Sequence, residues 1–108
     1  MIRVAKLTEA AFQRQVIQLA KLRCWRCAHF RPALTKDGRW RTAVQADGAG
    51  FPDLILLRGA RCIAAELKVG KNKPTPEQHE WLAAFHLAAV ENYIWRPENW
   101  DQIMEVLR

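Results

Sequence analysis

Asp53, Glu66 and Lys68 are the residues of this chain whose types and spacing could do chemistry. Asp53 opens the apolar run Leu54-Ile55-Leu56-Leu57. Glu66 and Lys68 close a second run, Arg61 to Val69, after turn residues at Arg58-Gly59-Ala60. Both runs have the length and branched residues of strands, so they are expected to pair as an antiparallel hairpin. Side chains on a strand alternate between faces, which puts Glu66 and Lys68 on one face and Ile63, Ala65, Leu67 and Val69 on the other. A hairpin closed near Gly59 sets position 53 across from the mid to late sixties, bringing Asp53 within reach of Glu66. Two carboxylates so placed repel unless a cation lies between them, and a divalent metal with hard oxygen ligands answers that need. The bland account is a surface ion pair, Glu66 to Lys68, beside an unrelated aspartate. It is the weaker one, because a lone acid buried among Leu and Ile costs on the order of several kcal/mol.

The residues around this pair resemble a known family. Pro52-Asp53 followed by Glu66-Leu67-Lys68 fits the PD-(D/E)xK nuclease superfamily. Gly50-Phe51-Pro52-Asp53-Leu54, Glu66-Leu67-Lys68 and Thr75-Pro76-Glu77-Gln78 before Trp81-Leu82 resemble more narrowly the VRR-NUC (virus-type replication-repair nuclease) domain. The likeness spans nearly the whole chain, from Glu9 to the last helix. It implies a metal-dependent DNA endonuclease in which Asp53, Glu66 and the backbone carbonyl of Leu67 bind Mg2+ or Mn2+. Lys68 would then orient the attacking water or neutralise the phosphate, Gln78 would orient Lys68 or the water, and Glu9 would complete the metal sphere. Members made of the bare domain resemble Holliday-junction resolvases, so the resemblance further implies a homodimer acting on branched or junction DNA.

The elements that must position these groups can be read in order. Thr8 can cap a first helix with Glu9 in its first turn, and Phe12, Val16, Leu19 and Ala20 recur at helical spacing to about Lys21. Glu9 borders that apolar stripe, so it reads equally as a helix-dipole acid in solvent or as a group facing the site. Trp25 to Phe30 alternates as a short strand with Trp25, Cys27 and His29 on one face. His29 reads as a structural histidine or as one that approaches the site. From Arg31 to Ala49 periodicity fails and the chain turns basic, with a turn at Asp37-Gly38. Arg31, Lys36, Arg39 and Arg41, with Trp40 between two arginines, could grip phosphates and stack on an unpaired base. The alternative is a solvated hairpin with Trp40 against the core.

After the central hairpin, Gly70-Lys71-Asn72-Lys73 reads as a flexible basic loop placed to hold a phosphate backbone through Lys71 and Lys73. Thr75 at the N-cap, Pro76 at the first helical position and Gln78 at N3 form a capping box, which competes with a role for Gln78 in the site. Trp81, Leu82, Phe85 and Ala88-Ala89 continue that helix. Tyr93 to Trp95 makes a fourth strand, Pro97 breaks it, and Trp100 to Leu107 forms a last amphipathic helix. The expected fold is α/β, a single domain over 1–108, with a restriction-endonuclease-like αβββαβα core whose mixed central sheet is flanked by helices.

Composition bounds the partners. The 108 residues suit one core, half of them are hydrophobic, and 17 Lys and Arg against 11 Asp and Glu leave a net charge of +6, suited to phosphates. No segment has the pattern of a signal peptide, and no apolar run approaches the ~18 residues of a membrane span, so a soluble, cytoplasmic protein is expected. Cys24-Trp25-Arg26-Cys27 has the spacing of half a zinc site or a redox pair, but the remaining Cys62, His29, His79 and His86 offer no second pair, so buried thiols are the default. The alternative function is a DNA-binding module on a nuclease fold, with weak or partner-dependent cleavage.

Overall fold

The computed structural model describes residues 7–30, 33–34, 36–41 and 44–108, with strand residues 33, 34, 40 and 41 described by backbone alone. Of the basic residues singled out above, Arg31 lies outside the described residues, as do the side chains of Trp40 and Arg41.

Helix α1 runs over Glu9–Leu22, started by the Thr8 hydroxyl accepting from the Ala11 amide at 3.1 Å. It ends in a Schellman turn: Trp25 N donates to Ala20 O at 2.9 Å and Cys24 N to Lys21 O at 3.0 Å. The left-handed position of that turn, φ 68°, is held by Cys24, where glycine is the usual occupant. That assigns Cys24 to a helix end.

Strand β1 (Arg26–His29) follows, and β4 (Leu54–Arg58) and β5 (Arg61–Leu67) form the expected hairpin around Gly59 at φ +59°. Helix α2 (Pro76–Leu87) returns the chain to β6 (Glu91–Trp95), and a 3-10 turn (Pro97–Asn99) leads into α3 (Trp100–Val106). The sheet order is β1-β4-β5-β6, antiparallel except for the parallel β5–β6 pair that the α2 crossover requires. A mixed four-stranded sheet with three helices is thus the architecture among the described residues. The connection from β1 to β4 carries two short strands of its own, β2 (Ala33–Leu34) and β3 (Trp40–Arg41), paired across a turn in which Gly38 has φ +81°. This backbone pairing is a short hairpin, and the side chain of Trp40 lies outside the described residues.

Alternation on β5 divides the molecule. Ile63, Ala65 and Leu67 face a core made with Phe12, Val16 and Ala20 of α1, Leu54 and Leu56 of β4, Trp95 of β6, and Ile103 and Leu107 at α3. Ala64 and Glu66 face the other side, which α2 covers. No helix among the described residues is long and apolar enough to cross a membrane.

Candidate active site

The hairpin register pairs Leu54 with Ala65, so one step further along it Asp53 stands opposite Glu66. The β1–β4 ladder continues to the same point, where Phe30 N donates to Asp53 O at 2.8 Å. Asp53 is therefore tied on both sides: its carbonyl to β1, and its carboxylate oxygen Oδ2 to the Leu67 amide at 2.8 Å.

Glu66 is 1% exposed. Its Oε1 accepts from Gln78 Nε2 at 3.0 Å and lies 3.5 Å from Lys68 Nζ. Its Oε2 has no hydrogen-bond partner. Among the described residues only one other buried side-chain polar atom is in that condition, Trp95 Nε1, a neutral donor. Burial pushes the Glu66 carboxyl up to about 8, and the charge of Asp53 opposite it adds to the rise. Lys68 opposes the shift without cancelling it. The site is thus electrostatically unfinished: two acids face each other, and the ammonium beside them is insufficient.

Gln78 makes the capping box and also bonds Glu66. Its Oε1 accepts from the Thr75 amide at 2.8 Å while the Thr75 hydroxyl accepts from its own amide at 3.2 Å, completing the capping box. With the oxygen engaged at the cap, the amide nitrogen is the end left for Glu66. A glutamate at this position would cap as well but would face Glu66 with a third carboxylate.

Two further contacts hold the loop before Asp53. Gly50 has φ +80°, and a Cβ built there would stand 2.5 Å from Glu77 C and 2.6 Å from Gln78 N. The loop is pressed against the first turn of α2, so the contact requires glycine. Phe51 then packs edge-on against Phe30 and Trp81, with centroids 5.0 Å and 4.9 Å away, and Trp81 Nε1 donates to Asp47 O at 2.9 Å. The long-range partners of Phe51 carry no sequence signal; the glycine two residues before a buried proline does.

Asp53, Glu66, Lys68 and Gln78 are therefore brought together. Glu9 sits half-buried in the first turn of α1 and makes no hydrogen bond or ion pair with any of them among the described residues. His29 is exposed on β1. Lys71 and Lys73 are exposed on the loop that follows Lys68, and Lys36 and Arg39 are exposed at the β2–β3 hairpin, where Arg39 lies 3.7 Å from Asp37.

Among the described residues no group of three or more His, Cys, Asp or Glu side chains converges as a metal site. The two-acid set of Asp53 and Glu66 nevertheless fits a hard divalent cation that keeps several water or phosphate ligands. Its donors are all oxygen, and the unpartnered Glu66 Oε2 lacks a positive neighbour. The cysteines offer no such set: Cys24 is exposed and ends a helix, while Cys27 is half-buried with its thiol pushed up by burial, the state of an inert structural thiol. Compared with known proteins, the chain matches no family model, no curated protein and no solved structure.

Proposed function

We propose that this chain is a metal-dependent nuclease that hydrolyses DNA phosphodiester bonds. The observation that carries the reading is Glu66: a carboxylate 1% exposed, opposite Asp53, with one oxygen unpartnered. A fold maintains such a group at a cost, and a bound cation would remove that cost. Asp53, Glu66 and the Leu67 carbonyl are the residues that would hold Mg2+ or Mn2+. When bound, the ion supplies Lewis acidity toward phosphate and a more acidic water.

The chain's own residues do the rest. Lys68, its side chain 13% exposed, holds an ammonium at the edge of the acid pair, where it can donate to a phosphate oxygen or orient water. Gln78 fixes the rotation of the Glu66 carboxylate, and the Leu67 amide fixes that of Asp53. The net charge of +6 favours a polyanionic substrate over a neutral one. The family resemblance extends the reading to branched DNA and a two-fold dimer.

One observation favours the binding-module alternative: only two acids converge among the described residues. Cleavage of labelled four-way-junction, flap and duplex DNA in Mg2+ and then Mn2+ separates the readings, comparing wild type with Glu66→Gln. Cutting by wild type alone supports the nuclease. Equal binding by both proteins with no cutting of any substrate in either metal leaves the binding module. Paired symmetric nicks in the junction, with a dimer in sedimentation, would carry the finer reading.

A further inference from the structure

Arg96 leaves β6 directly after Trp95 and turns its guanidinium onto the basic loop that follows the acid pair. Its Nη1 donates to Gly70 O at 3.1 Å and its Nη2 to Asn72 O at 2.5 Å. The loop also closes on itself, with Asn72 N donating to Val69 O at 3.2 Å and Gly70 at φ +60°. Arg96 is anchored in turn: its amide donates to Asn99 Oδ1 at 2.9 Å, and the adjacent Trp95 carbonyl accepts from Lys68 N at 2.9 Å. The loop is tied to the end of β6 by these bonds. With two of its carbonyls turned onto Arg96, Lys71 and Lys73 stand exposed.

We infer that Arg96 is a positioning residue for binding of a DNA phosphate backbone, clasping the loop so that Lys71 and Lys73 meet phosphates in register with Lys68 and Glu66. The inference rests on the nuclease reading and names the element that seats its substrate. Lysines on an unrestrained loop must be ordered when the ligand binds, and a loop ordered beforehand avoids that cost. The clasp requires a planar fork reaching two carbonyls, which lysine lacks although it keeps the charge.

Anisotropy of a labelled duplex, titrated with metal-free protein across a salt series, tests this without cutting. Arg96→Ala is expected to weaken binding about tenfold and Arg96→Lys by a similar factor. Both losses should disappear in a Lys71→Ala/Lys73→Ala background, which itself lowers the slope of log K against log salt by about two. Binding restored by Arg96→Lys, or an Arg96→Ala loss that persists without the two lysines, would mean a direct phosphate contact and overturn the inference. Thermal melting identifies a variant that has failed to fold; Arg96→Gln, which also lacks the fork, then carries the same comparison. Wild type that binds with this coupling yet never cuts would leave the clasp standing and remove the nuclease reading. Wild type that shows no salt-dependent binding removes both.

Discussion

The β4–β5 hairpin opposes like charges at both of its ends. At the closed end Arg58 pairs with Arg61, and at the open end Asp53 stands across from Glu66. Around the arginines the chain supplies one carboxylate and a set of backbone carbonyls that engage both guanidiniums. Arg61 holds Glu91 through two bonds of 2.9 and 2.7 Å and donates to Val106 O at 3.1 Å, while Arg58 donates to Arg23 O at 2.9 Å and Arg108 O at 2.7 Å. Both guanidiniums lie over the Trp25 ring, at 4.5 and 4.9 Å, and Trp25 Nε1 donates to Leu107 O at 3.0 Å. The positive pair thereby caps the carboxyl end of α3, where cations are favoured. Around the acids the chain provides one ammonium, the Gln78 side-chain amide and the Leu67 backbone amide, and leaves an oxygen without a partner. A like-charge pair that the fold completes is architecture; one that it leaves incomplete marks where a ligand is expected.

The substitution with the largest expected effect removes the incompleteness. Glu66→Gln keeps the shape and should abolish cleavage by about a thousandfold or more, because several kcal/mol of transition-state stabilisation would be lost with the metal. The same change should stabilise the metal-free protein. The folded carboxyl, pushed up to about 8 from an ordinary 4.5, favours its protonated form. Its stabilising contribution is full below the unfolded value and is lost as pH rises through the folded one. Wild type should therefore lose up to a few kcal/mol between about pH 4.5 and 8, and Glu66→Gln should lose much less over that window. Urea melts at both ends of the range measure this; parallel pH profiles would mean that the acid end costs nothing.

At the completed end the signs reverse. Arg61→Ala removes the two bonds to Glu91 and strands the Val106 carbonyl, so stability should fall by about 1–3 kcal/mol with cleavage per folded molecule unchanged. A cleavage defect at matched folding would show that the two ends are coupled.

The contrast also explains what was legible in the sequence. Period-two alternation and the Gly59 turn fix which acid faces which, so Asp53, Glu66 and Lys68 could be placed from spacing alone. The arginine end could not, because Trp25 and Leu107 are 82 residues apart and the acceptors are backbone carbonyls, which carry no side-chain signal. Arg96 was silent for the same reason. Strand β6 begins at Glu91, two residues before its β-forming stretch, because parallel pairing with Ile63 and Ala64 recruits Glu91 and Asn92 against their propensities. Gln78 reads two ways in the sequence because one side chain bonds the Thr75 amide and Glu66 together.

Gln78→Glu separates those two roles. The cap is retained, so helix content should hold, but a third carboxylate now faces Glu66. Cleavage should fall about tenfold or more, with metal affinity altered, since the partners that orient ligands set both. Gln78→Ala keeps the Thr75 hydroxyl cap but loses the acceptor for the Thr75 amide and the contact with Glu66, and should cost up to about 1 kcal/mol of stability as well. If Gln78→Glu cuts at the wild-type rate, the hydrogen bond to Glu66 is incidental and Gln78 is only a cap.

The smallest effects are expected at the two helix exits where a non-glycine residue holds a left-handed position. Cys24 has φ 68° and Ala89 φ 61°, and Ala89 sits in a turn like that of Cys24, with Val90 N donating to Phe85 O at 2.9 Å. A Cβ in that conformation costs about 1 kcal/mol, partly offset by the greater freedom glycine gives the unfolded chain. Cys24→Gly and Ala89→Gly should each raise stability by up to about 1 kcal/mol and leave cleavage unaltered, and Cys24→Ser should be near neutral. Thermal melts with a cleavage assay on each variant decide it. Loss of activity in Cys24→Ser with stability intact would restore the redox or zinc reading of Cys24 and Cys27, and the acid pair would no longer stand alone as the incomplete site among the described residues.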